Sequence, residues 1–353
     1  MGYRTSAASA SGQHSTSSNS HRSKAIIDVP FGSRLESAAA HCSPTPDVRD
    51  PPLIERLKPP PAVRPRDRVA VIAPASAFDR ASFEAGLALI SARYRAEHGP
   101  GVFERHRYLA GDDARRLGEL TAALEDPDIR AVFCARGGYG ATRLLKRLAT
   151  ASSPGPPKVL VGFSDITALH LWMQSRGRIS VHGPVLTQLG RLPAPTCERL
   201  FSLLESAQPP PPLTGALTHV GGVAEGPLLG GNLSVFTRLL GTPFMPALDG
   251  AILLFEDQGE RPYRLDRMWT HLELAGVFSR VRGIALGSFT GCEEKDASYT
   301  SDEVLGDLAR ATGLPCAGGF PVGHGEANEP LPLGARVRLD ADRRTLTFLE
   351  GAV

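Results

Sequence analysis

Several things are scarce in this chain, and each scarcity closes a route. No apolar run approaches the roughly 18–20 residues that a membrane-spanning helix needs, so no membrane partner is expected. Cysteine is sparse and scattered: Cys42, Cys134, Cys197, Cys292 and Cys316 form no CxxC pair. That pattern suits neither a disulfide framework nor a zinc site, and it fits a reducing compartment. Neither sign of charge dominates, with 39 Lys and Arg against 37 Asp and Glu. The electrostatic footprint of a nucleic-acid binder is therefore missing. There is no G-x-x-x-x-G-K-[ST], no G-x-G-x-x-G and no H-E-x-x-H, so phosphate binding gains little support and no metal site is expected.

Large apolar residues are also nearly missing from the start of the chain. Residues 1–62, with "SAASASGQHSTSSNSHRS" and then "PTPDVRDPP" and "KPPPA", have too little to bury and read as a disordered Ser- and Pro-rich tail. No apolar core marks a secretory signal. "MGYRTS" fits the loose myristoylation pattern, and the lack of acidic residues before Asp28 is shared with organellar transit peptides. Both patterns arise easily by chance, and a plain tail is the preferred reading.

What remains has ordinary globular composition, 42% hydrophobic over 353 residues, enough for two medium domains or one large one. From Arg66 onward, apolar runs alternate with amphipathic stretches. "RVAVIAPAS", "RAVFCARGGYG" and "KVLVGF" read as buried strands, and "SFEAGLALISARYR", "ARRLGELTAALEDPDI" and "ATRLLKRLA" as helices. That alternation predicts an α/β domain with a parallel sheet over residues 63–190. Residues 191–221, with "LPAPT" and "SAQPPPPLTG", read as a linker around a short helix. Residues 222–353 read as a second domain of mixed β and α character. Ligands collect beyond the carboxyl ends of parallel strands and between domains, which places the expected site at the domain interface.

"VGFSDITALH" poses the first chemical question. Ser164 lies where a strand turns sharply into a helix. Ser and Asp before an apolar helix are ordinary caps. The same turn exposes a hydroxyl beside free N–H groups, as a nucleophile requires. The segment lacks the full G-x-S-x-G elbow, since Ile166 stands at the last position. A nucleophile needs a base and a group that orients it. His170 and His271 fall on helices and read as packing or surface residues. His182, ending a short strand, and His324, between glycines in "PVGHGEAN", are better candidates. Glu256 closes the apolar run "AILLFE", where a buried acid is costly unless paired, and Asp257 either shares that role or is exposed. "ARGGYG" supplies glycines that bring a backbone N–H close to an oxyanion, or merely connect a strand to a helix. Asp266 and Arg267 form a structural pair or touch substrate. Cys134 reads as a core residue.

Taken together, "RVAVIAPAS", "ARGGYGATRLL", "VGFSDITALH", "SVHGPV", "LLGGNLSVFTRLLGTPF", "LLFEDQGERPYRLDRMWTHLELAG", "IALGSF" and "GFPVGHGEANEPLPLG" resemble the LD-carboxypeptidase family of serine peptidases. That family includes murein tetrapeptide carboxypeptidases and microcin C resistance peptidases. The resemblance runs in order from Arg66 to the C-terminus. It implies a Ser–Glu–His triad of Ser164, Glu256 and His324, with an oxyanion hole from the N–H groups of Gly138 (Gly137 being the neighbouring choice) and Asp165. It also implies a cytoplasmic homodimer with no metal and no cofactor, acting on a small muropeptide to release terminal D-Ala during peptidoglycan recycling. Arg136, Asn232 and Asp266 are the expected substrate contacts. The microcin-type alternative, cleavage of an aminoacyl or peptidyl-nucleotide amide, is less favoured because no aromatic insertion is evident between Glu256 and His324. Two other classes stay open: a non-catalytic nucleotide-binding α/β protein using "ARGGYG", and an interaction module in which Ser164 is only a cap.

Overall fold

The computed structural model describes residues 56–150 and 155–353, all within one compact unit. The expectations for residues 1–55 lie outside the described residues. The first half alternates as its apolar pattern requires. The elements are β1 (Arg68–Ile72), α1 (Arg80–Ser91), β2 (Arg95–His98), α2 (Asp113–Glu125), β3 (Ile129–Cys134), α3 (Leu145–Thr150), β4 (Val159–Gly162), α4 (Thr167–Ser175) and β5 (Ser180–His182). The five strands pair in parallel in the order β5-β4-β3-β1-β2. Successive side chains of a strand point to opposite faces. Ile72, Val132, Cys134 and Leu160 therefore pack on one side of the sheet, and Val71, Ala131, Phe133 and Val161 on the other. Burial on both faces explains why these strands read as nearly continuous apolar runs.

The second half holds α5 (Leu186–Leu189), α6 (Ala194–Glu205), β6 (Leu213–Thr214), β7 (Leu217–Val220), β8 (Val223–Asn232), α7 (Leu233–Leu239), β9 (Ile252–Gln258), α8 (Pro262–Leu274), β10 (Gly283–Thr290), α9 (Ser301–Thr312), β11 (Cys316–Gly318), β12 (Leu331–Leu333), β13 (Arg336–Asp340) and β14 (Thr345–Phe348). Its eight-stranded sheet is mixed, in the order β6-β14-β13-β8-β9-β10-β11-β7, with β8 to β11 parallel and the flanks antiparallel.

Three features differ from the sequence reading. The helix expected within the linker stretch is α6, but it packs instead of linking: its Leu200, Phe201 and Leu204 are buried in the core under the first sheet. β12 leaves its own half and pairs antiparallel with β5, closing the edge of the first sheet. Chain assigned to the tail already takes part in the fold: Leu57 is buried against Ile179 and Ala335, and the Lys58 N–H donates to the Gly177 carbonyl at 2.8 Å. Among the described residues no helix is long and apolar enough to cross a membrane.

Candidate active site

Strand β4 ends at Gly162, Phe163 is extended, and Ser164 takes a left-handed backbone with φ of +64°. A non-glycine residue there costs about 1–2 kcal/mol, so its surroundings must hold it. A short 3-10 turn, Ser164–Ile166, then leads into α4. Neither the turn nor α4 has a side-chain cap at its start, so Ser164 is not serving as one. Its turn packs closely on the glycine-rich loop: a Cβ on Gly137 would lie 2.8 Å from the Ser164 Cβ.

Asp165 does cap, but not its own helix. Its buried carboxylate accepts the Ala141 N–H at 2.8 Å, at the start of the 3-10 turn Ala141–Leu144, and so ties the glycine loop to the serine turn. Burial pushes this carboxyl above its usual range, and the Ala141 N–H partly offsets that. The loop is pinned from other sides too. The fully buried Arg116 donates to the Gly140 carbonyl at 2.9 Å and also to the Pro74 carbonyl. Ser76 Oγ accepts the Tyr139 N–H at 3.0 Å. Gly138 has φ of +96°, and a Cβ there would lie 2.5 Å from Ser76 Oγ. Ser76 escaped the sequence reading; its only signal was its place at the carboxyl end of the first strand.

Glu256 is fully buried on β9. Its Oε2 lies 2.6 Å from His324 Nδ1, and His324 Nε2 lies 3.1 Å from Ser164 Oγ. An ionised carboxylate only accepts, so Nδ1 carries the imidazole proton and Nε2 is free to accept from the serine hydroxyl. The glycines around His324 make this approach possible. Gly323 has φ of +108°, and a Cβ on it would lie 2.5 Å from Glu256 Oε2. Its N–H donates to Asn328 Oδ1 at 3.0 Å, and that of Gly325 to Ser288 Oγ at 2.9 Å. The Phe163 ring packs against the imidazole at 4.8 Å. Burial alone would lower the His324 pKa, but the hydrogen bond and charge of Glu256 outweigh it and hold the group above its ordinary value. Burial raises Glu256, partly offset by His324.

A cleft of about 500 Å³ opens beside these groups, and Gly138, Asp165, Ser164 and His324 all line it. The expected substrate contacts fare unevenly. Asn232 lines the cleft, yet its Oδ1 accepts the Val235 N–H as the cap of α7 and its Nδ2 donates to Asp257. Arg136 does not line the cleft; it donates to the Ala77 carbonyl and steadies the loop that carries Ser76. Asp266 is exposed in the second turn of α8, accepts the Thr270 hydroxyl, and is not part of the cleft. Asp257, left open as exposed, is buried and accepts the Ser234 N–H. His170 is a satisfied core histidine, bonded to Ser180 and to the Gly162 carbonyl. His182 is buried beside Phe163, and burial lowers its pKa strongly. Arg238 and Glu260 line the cleft and went unnoticed in the sequence.

Comparison with known proteins agrees with this architecture. The family description "LD-carboxypeptidase N-terminal domain" matches residues 69–183, and "LD-carboxypeptidase C-terminal domain" matches residues 225–339. A murein tetrapeptide carboxypeptidase of Pseudomonas aeruginosa is 40% identical over 78% of this chain and 94% of its own length. The crystal structure of muramoyltetrapeptide carboxypeptidase from Oxalobacter formigenes superposes with a TM-score of 0.71 at 28% identity, covering 80% of this chain and 98% of that one. MccF in complex with glutamyl sulfamoyl guanosine superposes with a TM-score of 0.72 at 22% identity over 85% of this chain and all of its own, a likeness of fold. The chain belongs to the LD-carboxypeptidase family and is a serine-type carboxypeptidase hydrolase.

Proposed function

We propose that this enzyme hydrolyses an L,D-peptide bond and releases the terminal D-Ala of murein tetrapeptides, with Ser164, His324 and Glu256 as its triad. The observation that carries the reading is the relay from Glu256 Oε2 through His324 to Ser164 Oγ, at 2.6 and 3.1 Å, in the wall of a peptide-sized cleft. His324 Nε2 takes the hydroxyl proton as Ser164 Oγ bonds to the carbonyl carbon. Glu256 stabilises the imidazolium that results. The N–H groups of Gly138 and Asp165, both lining the cleft, serve the oxyanion, each worth about 3 kcal/mol. The C–N bond then breaks, and His324 returns its proton to the departing amine of D-Ala. Water, deprotonated by the same imidazole, cleaves the ester and regenerates the serine.

Names of relatives supply the substrate class, and the reading extends to a role in recycling wall peptides inside the cell as a homodimer. Incubating the protein with tetrapeptide muropeptides and following the products by mass spectrometry tests it: a loss of one alanine is expected, and intact tetrapeptide after prolonged incubation would sink the assignment. One observation favours a second reading, an amide joined to a nucleotide-like group. Tyr139 lies at the cleft with Tyr108 beside it, ring centroids 5.8 Å apart and both exposed, a surface on which a nucleobase could stack. Hydrolysis of an aminoacyl sulfamoyl nucleoside in preference to the tetrapeptide would select it. Light scattering that gives a monomer's mass would remove the dimer.

A further inference from the structure

The relay spans both sheets, and His324 sits on the segment that crosses between them. That segment leaves the second sheet at Gly318, the end of β11, and joins the first at Leu331, the start of β12. Leu331 pairs with His182, and His182 pairs with Gly162, two residues before Ser164. The far end of the crossing is therefore in register with the strand that presents the nucleophile. On the near side, Ser288 of β10 ties the segment to the second sheet. Its N–H and hydroxyl both donate to the Val322 carbonyl, and its Oγ accepts the Gly325 N–H. On the far side the partner is α6. Glu329 Oε1 accepts the Thr196 hydroxyl at 2.9 Å, and Oε2 faces Arg199 Nε at 3.6 Å. Arg199 also donates to the Pro330 carbonyl at 3.2 Å. Thr196 and Arg199 lie three residues apart and so share one face of α6, while Leu200, Phe201 and Leu204 anchor that helix in the core under the first sheet. The loop is also closed on itself. The Glu329 N–H donates to the Pro321 carbonyl at 2.8 Å, and the buried Asn328 accepts the Gly323 N–H at 3.0 Å. A shift of Glu329 is thus passed through Asn328 to the backbone just ahead of His324.

We infer that Glu329 is a positioning residue for the base: gripped by Thr196 and Arg199, it holds the His324 loop to the nucleophile's side of the molecule and sets the 3.1 Å gap between His324 Nε2 and Ser164 Oγ. The two ties divide the work. Ser288 keeps the imidazole with Glu256, and Glu329 brings that pair to Ser164. The stretch 191–221 thereby gains a task beyond packing, since its helix supplies the grip. The inference rests on the reading of Ser164 and His324 as nucleophile and base, and it adds what fixes their separation.

The test joins crystal structures to kinetics for Glu329→Ala and for Thr196→Val, a milder change that removes only the hydroxyl. Folded fractions are first matched to wild type by circular dichroism. In Glu329→Ala the 2.6 Å contact of Glu256 with His324 should survive while the gap to Ser164 opens beyond about 3.5 Å. Its kcat for D-Ala release should fall roughly 10–100-fold, as a misplacement near 1 Å costs at a reacting pair. KM should stay within about twofold, because Glu329 does not line the cleft. The double variant should be no slower than Glu329→Ala, since both changes break one contact. A gap still near 3.1 Å overturns the inference, whatever the rate. So does an acid limb of the pH profile moved to lower pH, which would place the loss at Glu256. An opened gap with kcat unchanged leaves the positioning role standing and counts against the triad. If Glu329→Ala does not fold, the gap in Thr196→Val decides in the same way.

Discussion

Replacing Gly323 by alanine strikes the site without touching any reacting group. Two costs follow from the geometry. A φ of +108° lies in the left-handed half of the map, where an L-residue loses about 1–2 kcal/mol. The new methyl would also stand 2.5 Å from Glu256 Oε2 and 2.7 Å from its Cβ. An ordinary carbon contact is about 3.5 Å, so the acid must move from the new methyl by about 1 Å, which disturbs its 2.6 Å contact with His324. A shift of that size at a catalytic group can cost about a hundredfold in rate. In a fold of this size the backbone strain lowers Tm by roughly 2–8 °C. D-Ala release can be followed by coupling it to a D-amino-acid oxidase, and unfolding by circular dichroism. The expected result is a folded protein with kcat down by about two orders of magnitude and the acid limb of its pH profile moved down, because the carboxylate no longer supports the imidazolium. A variant that loses Tm but keeps kcat within threefold would refute the close packing of Gly323 on Glu256 as a determinant of the relay.

Other consequences can be checked alongside. In wild type, kcat/KM should rise with pH through a limb above the ordinary histidine value, because Glu256 raises His324 and the protonated ring cannot accept the serine proton. In Glu256→Gln that support is gone and burial remains, so the limb should move to lower pH while the rate falls roughly 10–100-fold; an unmoved limb counts against the coupling. Asp165→Ala leaves the Ala141 N–H without its acceptor and should cost about 1–2 kcal/mol in chemical unfolding, together with a loss of kcat as the glycine loop loosens. Unchanged stability would show that the tie is idle. Leu57→Ala should cost about 2 kcal/mol, and a neutral result would return residues 57–62 to the tail.

Much of the fold could be read locally, because a doubly covered parallel sheet writes itself as apolar runs between helices. Ser164, Glu256 and His324 each stood at the end of a recognisable segment, and the glycines around them mark close approach rather than simple turns. What escaped was long-range. β12 pairs with β5 across about half the chain, and nothing in "LPL" announces its partner. Asn232 looked free because Asp257 is brought to it only by pairing of β8 with β9, although its cap target, the Val235 N–H, lies three residues on. Asp266 stands out among charged neighbours in sequence, yet the winding of α8 turns it to solvent. Arg238 was one more arginine on a helix until that helix was set against the cleft. Asp165 was legible as a cap, but the helix it caps is one 24 residues earlier in the chain.

If Ser164 is the nucleophile, its hydroxyl is the one group the reaction cannot lose. The most direct measurement is kcat/KM for D-Ala release from a murein tetrapeptide by Ser164→Ala against wild type, with equal folded fractions established by circular dichroism. A loss of at least about a thousandfold is expected, the residual rate coming from the oxyanion donors and binding alone. Turnover by Ser164→Ala within tenfold of wild type would contradict it.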